Sequence, residues 1–185
     1  MNEKKVKTVV FVCTGNTCRS PMAEAILRSE LKRRQIENVC VYSAGLKVSS
    51  PSPINFNAAK TLTNKGLQLL NFTSKLVDEK VFLADAVVAM TEEILQKLKA
   101  IKAFGVQAGK LKKGKNNLYS FKGLTGADVI DPYGKGEEEY GRVFTQLEGG
   151  MSAIIEKFLV KKPRAKRKTT TQTTTKKRTK KENEI

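Results

Sequence analysis

The run Val6 to Pro21, VKTVVFVCTGNTCRSP, joins an apolar, β-branched stretch with almost no alternation to a cysteine, a short polar loop and an arginine six residues after that cysteine. A stretch that is apolar on both faces belongs inside a parallel sheet with helices above and below it. This restricts the chain to an α/β fold and puts Cys13 at the carboxyl end of a central strand, where such sheets gather their ligands. The loop that follows suits an oxyanion. Ser20 and Pro21 read as the N-cap and first residue of a helix, since Ser supplies a capping oxygen and Pro needs no N–H there. The orphan amides of the loop and the positive end of that helix then converge on one point. Gly15 permits left-handed or strained backbone, and Asn16 is among the few other residues that tolerate it. Thr14 to Arg19 can therefore turn successive N–H groups inward as a nest, and Arg19 adds a planar fork matched to two phosphate oxygens. Positive surroundings of this kind lower a thiol from about 8.5 to about 3.5–7.5, so Cys13 reads as a nucleophile toward phosphorus. The alternative is a buried structural cysteine before an ordinary strand-to-helix turn. The complete string CTGNTCRSP, after VVFV and before an amphipathic helix, favours the chemical reading.

Strands and helices alternate downstream. VKTVVFVC, Val39–Ser43, Ala84–Met90 and Asn117–Phe121 read as strands. Ser20–Arg34, Pro53–Asn64, Glu92–Ala103 and Glu137–Leu159 read as helices. Ala23, Ile26, Leu27 and Leu31 share one face of the first helix; Ile94, Leu95, Leu98 and Ile101 share one face of the third. The last helix carries Val143, Leu147, Met151, Ile154, Ile155 and Phe158, against the propensity cost of Gly149–Gly150. This order predicts a doubly wound α/β sheet with helices on both faces. Cys13, Ser43, Thr91 and Asp131 would converge beyond its strand ends. Residues 1–160 suffice for one core, and no apolar stretch is long enough to span a membrane.

Beyond the loop, YSAG at Tyr42–Gly45, VVAMT at Val87–Thr91 and DPYG at Asp131–Gly134 follow in order. With CTGNTCRSPMAEA, these motifs resemble the low-molecular-weight protein phosphatases, whose signature is a Cys-x5-Arg-Ser loop near the N-terminus. The resemblance covers most of residues 6–159 and implies a four-stranded parallel sheet in the order 2-1-3-4. It implies that Cys13 is the nucleophile and forms a cysteinyl-phosphate, while Arg19 binds the phosphoryl group with the amides of Thr14, Gly15, Asn16, Thr17 and Cys18. Ser20 would donate its hydroxyl to the Cys13 sulfur, and Asn16 would brace the loop with Ser43. Asp131 would be the general acid that protonates the leaving atom and later activates water; by itself Asp-Pro is also a common turn initiator.

The same resemblance bears on substrate. Tyrosine-specific members usually carry a larger aliphatic residue where this chain has Thr17, and two consecutive aromatics where it has Tyr133 followed by Gly134. The resemblance therefore points to the protein-arginine-phosphatase branch, with protein-tyrosine phosphatase as the alternative; Thr17 could also merely fit the loop. Cys18 matches a thiol that can form a reversible disulfide with the nucleophile, which would protect it from over-oxidation, or it packs inertly. Cys40, on an apolar strand, reads as core. Three cysteines without CxxC and no signal peptide point to a reducing cytoplasm. With no histidine and no zinc-like thiol spacing, no metal is expected, and the resemblance implies no cofactor. Family members often carry histidines near the second helix that this chain lacks. The Lys-rich segment Gly105–Asn116, with Lys110, Lys112, Lys113 and Lys115, reads as a solvated loop or a lure for acidic substrates.

From residue 161 the composition changes to KKPRAKRKTTTQTTTKKRTKKENEI. This segment holds eleven Lys/Arg and two Glu, a net of +9 out of the chain's +17, and no large apolar residue before Ile185. It cannot build a core, so a disordered basic tail over 161–185 is expected. Its partners would be nucleic acid or an anionic surface such as a membrane, or it is simply solvated. Phosphorylated proteins are the expected substrates, and a monomer is expected. Three rivals remain. Thioredoxin-coupled arsenate reductase needs resolving cysteines after Cys40, and none follows. A binding protein acting through its tail would not need Cys13. A phosphocysteine carrier would have no use for Asp131.

Overall fold

The computed structural model describes residues 6–114 and 116–160. The basic segment 161–185 and Lys115 lie outside the described residues. Strand β1 (Lys7–Cys13) occupies the interior of the sheet, and Val9 to Val12 are wholly buried. It pairs in parallel with β2 (Val39–Gly45) on one side and β3 (Ala86–Ala89) on the other; β4 (Leu118–Ser120) pairs in parallel with β3. The order is therefore β2-β1-β3-β4. Between β1 and β2 runs α1 (Arg19–Arg33), and between β3 and β4 runs α3 (Glu92–Gln107). These two crossovers step in opposite directions along the sheet. Since parallel crossovers are right-handed, they put helices on both faces. The sheet is doubly wound, and the C-terminal strand ends share one edge.

The remaining helices are α2 (Phe56–Asn64), α4 (Phe121–Thr125) and α5 (Glu137–Phe158), with a 3-10 turn at Glu79–Leu83. Helix α5 packs against α1, α2 and α4 and buries Val143, Leu147, Met151, Ile154 and Ile155. Gly150 sits where α4 crosses it. A Cβ there would collide with the Phe121 ring and come within 2.9 Å of Thr125 Cγ2, so close approach outweighs the propensity cost. No helix among the described residues is long and apolar enough to cross a membrane.

Several expectations are corrected. Helix α1 begins at Arg19 rather than at Pro21: Cys18 is its N-cap and makes no side-chain capping bond. Pro21 is still harmless, because the first four helical N–H groups have no intrahelical acceptor. Helix α2 starts at Phe56 rather than Pro53, because the Asn55 side chain accepts the N–H groups of Asn57 and Ala58. Phe121 opens α4 instead of closing β4, with Ser120 as its cap. Ile101 is 42 % exposed, the apolar stripe of α3 ending at Leu98. Cys40 is exposed rather than core, since it stands near the start of the edge strand β2. Lys110, Lys112 and Lys113 are all exposed.

Candidate active site

Cys13 ends β1, and its sulfur receives two hydrogen bonds. The Ser20 hydroxyl donates to Sγ at 3.0 Å and the Asn16 N–H donates at 3.2 Å. The left-handed turn that aims this amide falls on Asn16, with φ of +54°, and not on Gly15. A Cβ at Gly15 would meet only Thr17 Oγ1, at 3.7 Å. The N–H groups of Gly15, Thr17, Cys18 and Arg19 have no acceptor among the described residues, which leaves them free for an anion. Arg19 opens α1 and is 5 % exposed. Its Nη2 lies 3.5 Å from Thr14 Oγ1 and 2.6 Å from Asp131 Oδ2.

Behind the sulfur runs a buried polar chain whose direction is fixed. Ser43 Oγ donates to Glu24 Oε2 at 2.7 Å, so it accepts from Asn16 Nδ2 at 2.9 Å. The same Nδ2 donates to Ser20 Oγ at 3.0 Å, leaving the Ser20 proton for Cys13. Asn16 Oδ1 accepts the Lys75 N–H at 2.8 Å. Asn16 and Ser20 are fully buried and support the loop from beneath. The chain ends at Glu24, which is 5 % exposed and paired with Arg28 at 2.6 Å. Burial pushes the Glu24 carboxyl up, and the Ser43 hydrogen bond and the Arg28 charge oppose this. Sequence reasoning did not single out Glu24, although it stands four residues after Ser20 and so on the same helical face.

Cys18 turns away from the sulfur's polar chain toward Tyr140, whose hydroxyl is 3.4 Å from its Sγ. Burial raises the Cys18 thiol, with its hydrogen bonds to Tyr140 and Thr17 opposing, and raises Tyr140 likewise. Cys13 and Cys18 are both free thiols.

A cavity of about 400 Å³ opens above Cys13, Thr14, Gly15, Thr17, Cys18 and Arg19. One wall is the segment after β2, held to the loop at both ends. Leu46 N–H donates to the Cys13 carbonyl at 3.1 Å, Lys47 N–H to Thr14 at 2.8 Å, and Asn55 N–H to Thr17 at 2.9 Å. The approach is so close that a Cβ on Gly45 would lie 2.9 Å from both Asn16 N and Thr14 O. The other wall is Asp131 and Tyr133. Asp131 Oδ1 accepts the Tyr133 N–H at 3.2 Å, forming a small turn that leaves Oδ2 for Arg19. The Asp131 side chain is 55 % exposed. Thr91 caps α3 through Ile94 N–H and borders a neighbouring recess with Thr14, Arg19 and Asp131. A thiol, a guanidinium, unpaired amides and a half-exposed carboxyl around one cavity are the parts of phosphoryl transfer through sulfur.

Comparison with known proteins agrees with this chemistry. Residues 8–166 match the family described as low molecular weight phosphotyrosine protein phosphatase. A protein-arginine-phosphatase of Bacillus subtilis (strain 168) is 35 % identical over 143 residues, which are 76 % of this chain and 89 % of the relative. The low molecular weight protein-tyrosine-phosphatase PtpA of Staphylococcus aureus (strain MRSA252) is also 35 % identical, over 126 residues, 68 % of this chain and 77 % of the relative. Among solved structures, a YwlE arginine phosphatase mutant with a phosphorylated active-site serine superposes with a TM-score of 0.67 at 33 % identity, covering 81 % of this chain and 94 % of that one.

Proposed function

Because the chain belongs to the low molecular weight phosphotyrosine protein phosphatase family and is a cysteine-dependent protein phosphatase, we propose that its substrates are proteins phosphorylated on arginine. Thr17 carries this reading. It lines the cavity next to the sulfur, and its hydroxyl can order a polar P–N substrate or a water where an aliphatic residue would present only apolar surface. A single aromatic, Tyr133, stands on the Asp131 side, followed by Gly134 with φ of +75°. Identity is 35 % both to a protein-arginine-phosphatase, over 143 residues, and to a protein-tyrosine-phosphatase, over 126, so the reading rests on Thr17 and Tyr133.

In this mechanism the phosphoryl group enters over Cys13, and its oxygens take the free loop amides and the Arg19 fork. Arg19 thereby releases the Asp131 carboxylate, which takes up the proton that leaves the Cys13 thiol and then faces the leaving atom. The Cys13 thiolate forms the S–P bond as the P–N bond breaks, and Asp131 gives its proton to the departing guanidine nitrogen. Ser20 holds the sulfur's charge in the thiolate, as attacker and as leaving group. Asp131 next takes a proton from the water that attacks phosphorus, the S–P bond breaks, and inorganic phosphate leaves. Proton transfer of this kind contributes roughly 10²–10⁴ in rate, and each well-aimed oxyanion donor about 10²–10³. The test is a side-by-side assay of the purified chain on one protein carrying phosphoarginine or phosphotyrosine. Higher kcat/KM on phosphoarginine is expected. Higher kcat/KM on phosphotyrosine would overturn the assignment in favour of the tyrosine reading, for which Tyr133 would be the ring's partner.

Residues 161–185 are proposed to hold a polyanion, nucleic acid or an anionic membrane surface, through their net charge of +9. They carry no aromatic residue for base stacking, so sequence-specific RNA reading is not part of the proposal.

A further inference from the structure

The cavity wall that follows β2 carries, beside Lys47 and Val48, a row of hydroxyls. Ser49, Ser50, Ser52 and Ser74 line the cavity, and Thr17 continues the row on the catalytic loop. Among the described residues along this cavity, Val48 is the one aliphatic side chain and Tyr133 the one aromatic ring. The row is held in place. Ser52 N–H donates to Ser74 Oγ at 2.9 Å, and Ser74 N–H donates back to the Ser52 carbonyl at 2.8 Å. Ser74 is 3 % exposed, which anchors the wall in the body of the protein. The Ser52 hydroxyl gives its proton to the Ser50 carbonyl at 3.2 Å, so toward the cavity it offers only lone pairs. The ends of the segment are tied to Thr14 and Thr17, so the height of these oxygens above the sulfur is set by the catalytic loop itself.

We propose that this serine row is the specificity-determining wall of the enzyme, its hydroxyl oxygens accepting the N–H groups that a phosphorylated guanidine keeps after one nitrogen has bonded to phosphorus. The inference rests on the phosphoarginine reading and deepens it. A guanidine carries several donors in a fixed plane, and on entering the cavity each must exchange water for another acceptor. A phosphorylated phenol carries none, since its ester oxygen can only accept. It would cover the same oxygens without hydrogen-bonding them, stripping them of water. A site built to bond a substrate N–H discriminates against an analogue lacking it far better than an apolar pocket discriminates by size. The planar guanidine can lie against the single Tyr133 ring on the other side. Lys47 is exposed and lines both this cavity and the recess beside Thr14 and Arg19, where its charge can serve the phosphoryl end.

The experiment measures kcat/KM for matched phosphoarginine and phosphotyrosine peptides with the unsubstituted chain and with the variant Ser49→Ala/Ser50→Ala/Ser52→Ala, whose fold is checked by thermal unfolding. The phosphoarginine-to-phosphotyrosine ratio should fall about tenfold or more in the folded variant, and Ser52→Thr in place of Ser52→Ala should restore part of it. An unchanged ratio in the folded variant overturns the serine wall while leaving the substrate assignment standing. Failure of the unsubstituted chain to turn over phosphoarginine while it hydrolyses phosphotyrosine overturns both. Loss of folding in the triple variant would also count against the wall as a recognition surface, provided Ser49→Ala/Ser50→Ala alone folds with the original ratio.

Discussion

Ser20 can send its single proton to Cys13 because Asn16 already donates to the Ser20 oxygen, and Asn16 is turned that way by Ser43, which gives its own proton to Glu24. The side-chain donor to the Cys13 sulfur is thus ordered by Glu24, three side chains away. Removing the Ser20 hydroxyl leaves the Cys13 sulfur short of one donor when it attacks, at a cost of roughly 1–3 kcal/mol. Ser20→Ala is therefore expected to lower kcat about 10–100-fold, measured on a phosphoaryl compound; an undiminished kcat would remove Ser20 from the mechanism. Cys13, Arg19 and Ser20 were legible in the sequence because chemistry and spacing coincide within eight consecutive residues. Glu24 was not, since a glutamate in the second turn of an amphipathic helix reads as solvated until burial is known. The sequence left the left-handed turn open between Gly15 and Asn16 for a related reason. Glycine permits positive φ but does not require it, whereas Asn16 is held there by Ser20, Ser43 and Lys75 together.

The types of the longer elements were legible because their apolar periods are clean, β1 with no alternation and α5 with a full stripe; the short α4 and the 3-10 turn at Glu79–Leu83 hold too few residues to show one. Their ends were less so, because caps decide them. Asn55 starts α2 and Ser120 starts α4 with side-chain oxygens, and one capping residue looks like any loop residue in sequence. The serine wall escaped notice likewise, being a loop without a motif, tied to the site by backbone bonds. Helix α1 ends on a charged cluster, where Glu30 is bonded by Arg33 at 2.6 Å and by Arg34 at 2.7 Å. The Arg33 hydrogen bond leads in holding the Glu30 carboxyl down at about 2 against an ordinary 4.5. A carboxyl lowered on folding stabilises the fold above its unfolded value, and that stability is lost as pH falls through the folded value. Between pH of about 4.5 and 2, thermal unfolding of the unsubstituted protein should therefore lose more stability than that of Glu30→Gln. Parallel loss in both would contradict the assignment.

The catalytic loop occupies the C-terminal edge of the sheet, while α5 ends at the other edge: Lys7, at the start of β1, donates through Nζ to the Phe158 carbonyl at 2.5 Å. With β1 seven residues long, these two poles stand about 20 Å apart. Val160, where the described residues end, therefore lies near the end of the sheet away from the cavity. Truncation after Val160 removes +9 of the +17 charge and is expected to leave turnover and melting temperature nearly unchanged. It should also abolish binding of a single-stranded oligonucleotide and of anionic vesicles, followed by fluorescence anisotropy and co-sedimentation at physiological salt. Retained binding would assign the partner to the body instead. The account as a whole depends on sulfur attacking phosphorus. The most direct check is to quench Asp131→Ala during turnover of a phosphoaryl ester with a good leaving group and locate the phosphoryl group by mass spectrometry. We predict phosphate on Cys13, with none formed and no hydrolysis when Cys13→Ala is added; hydrolysis undiminished by Cys13→Ala would contradict it.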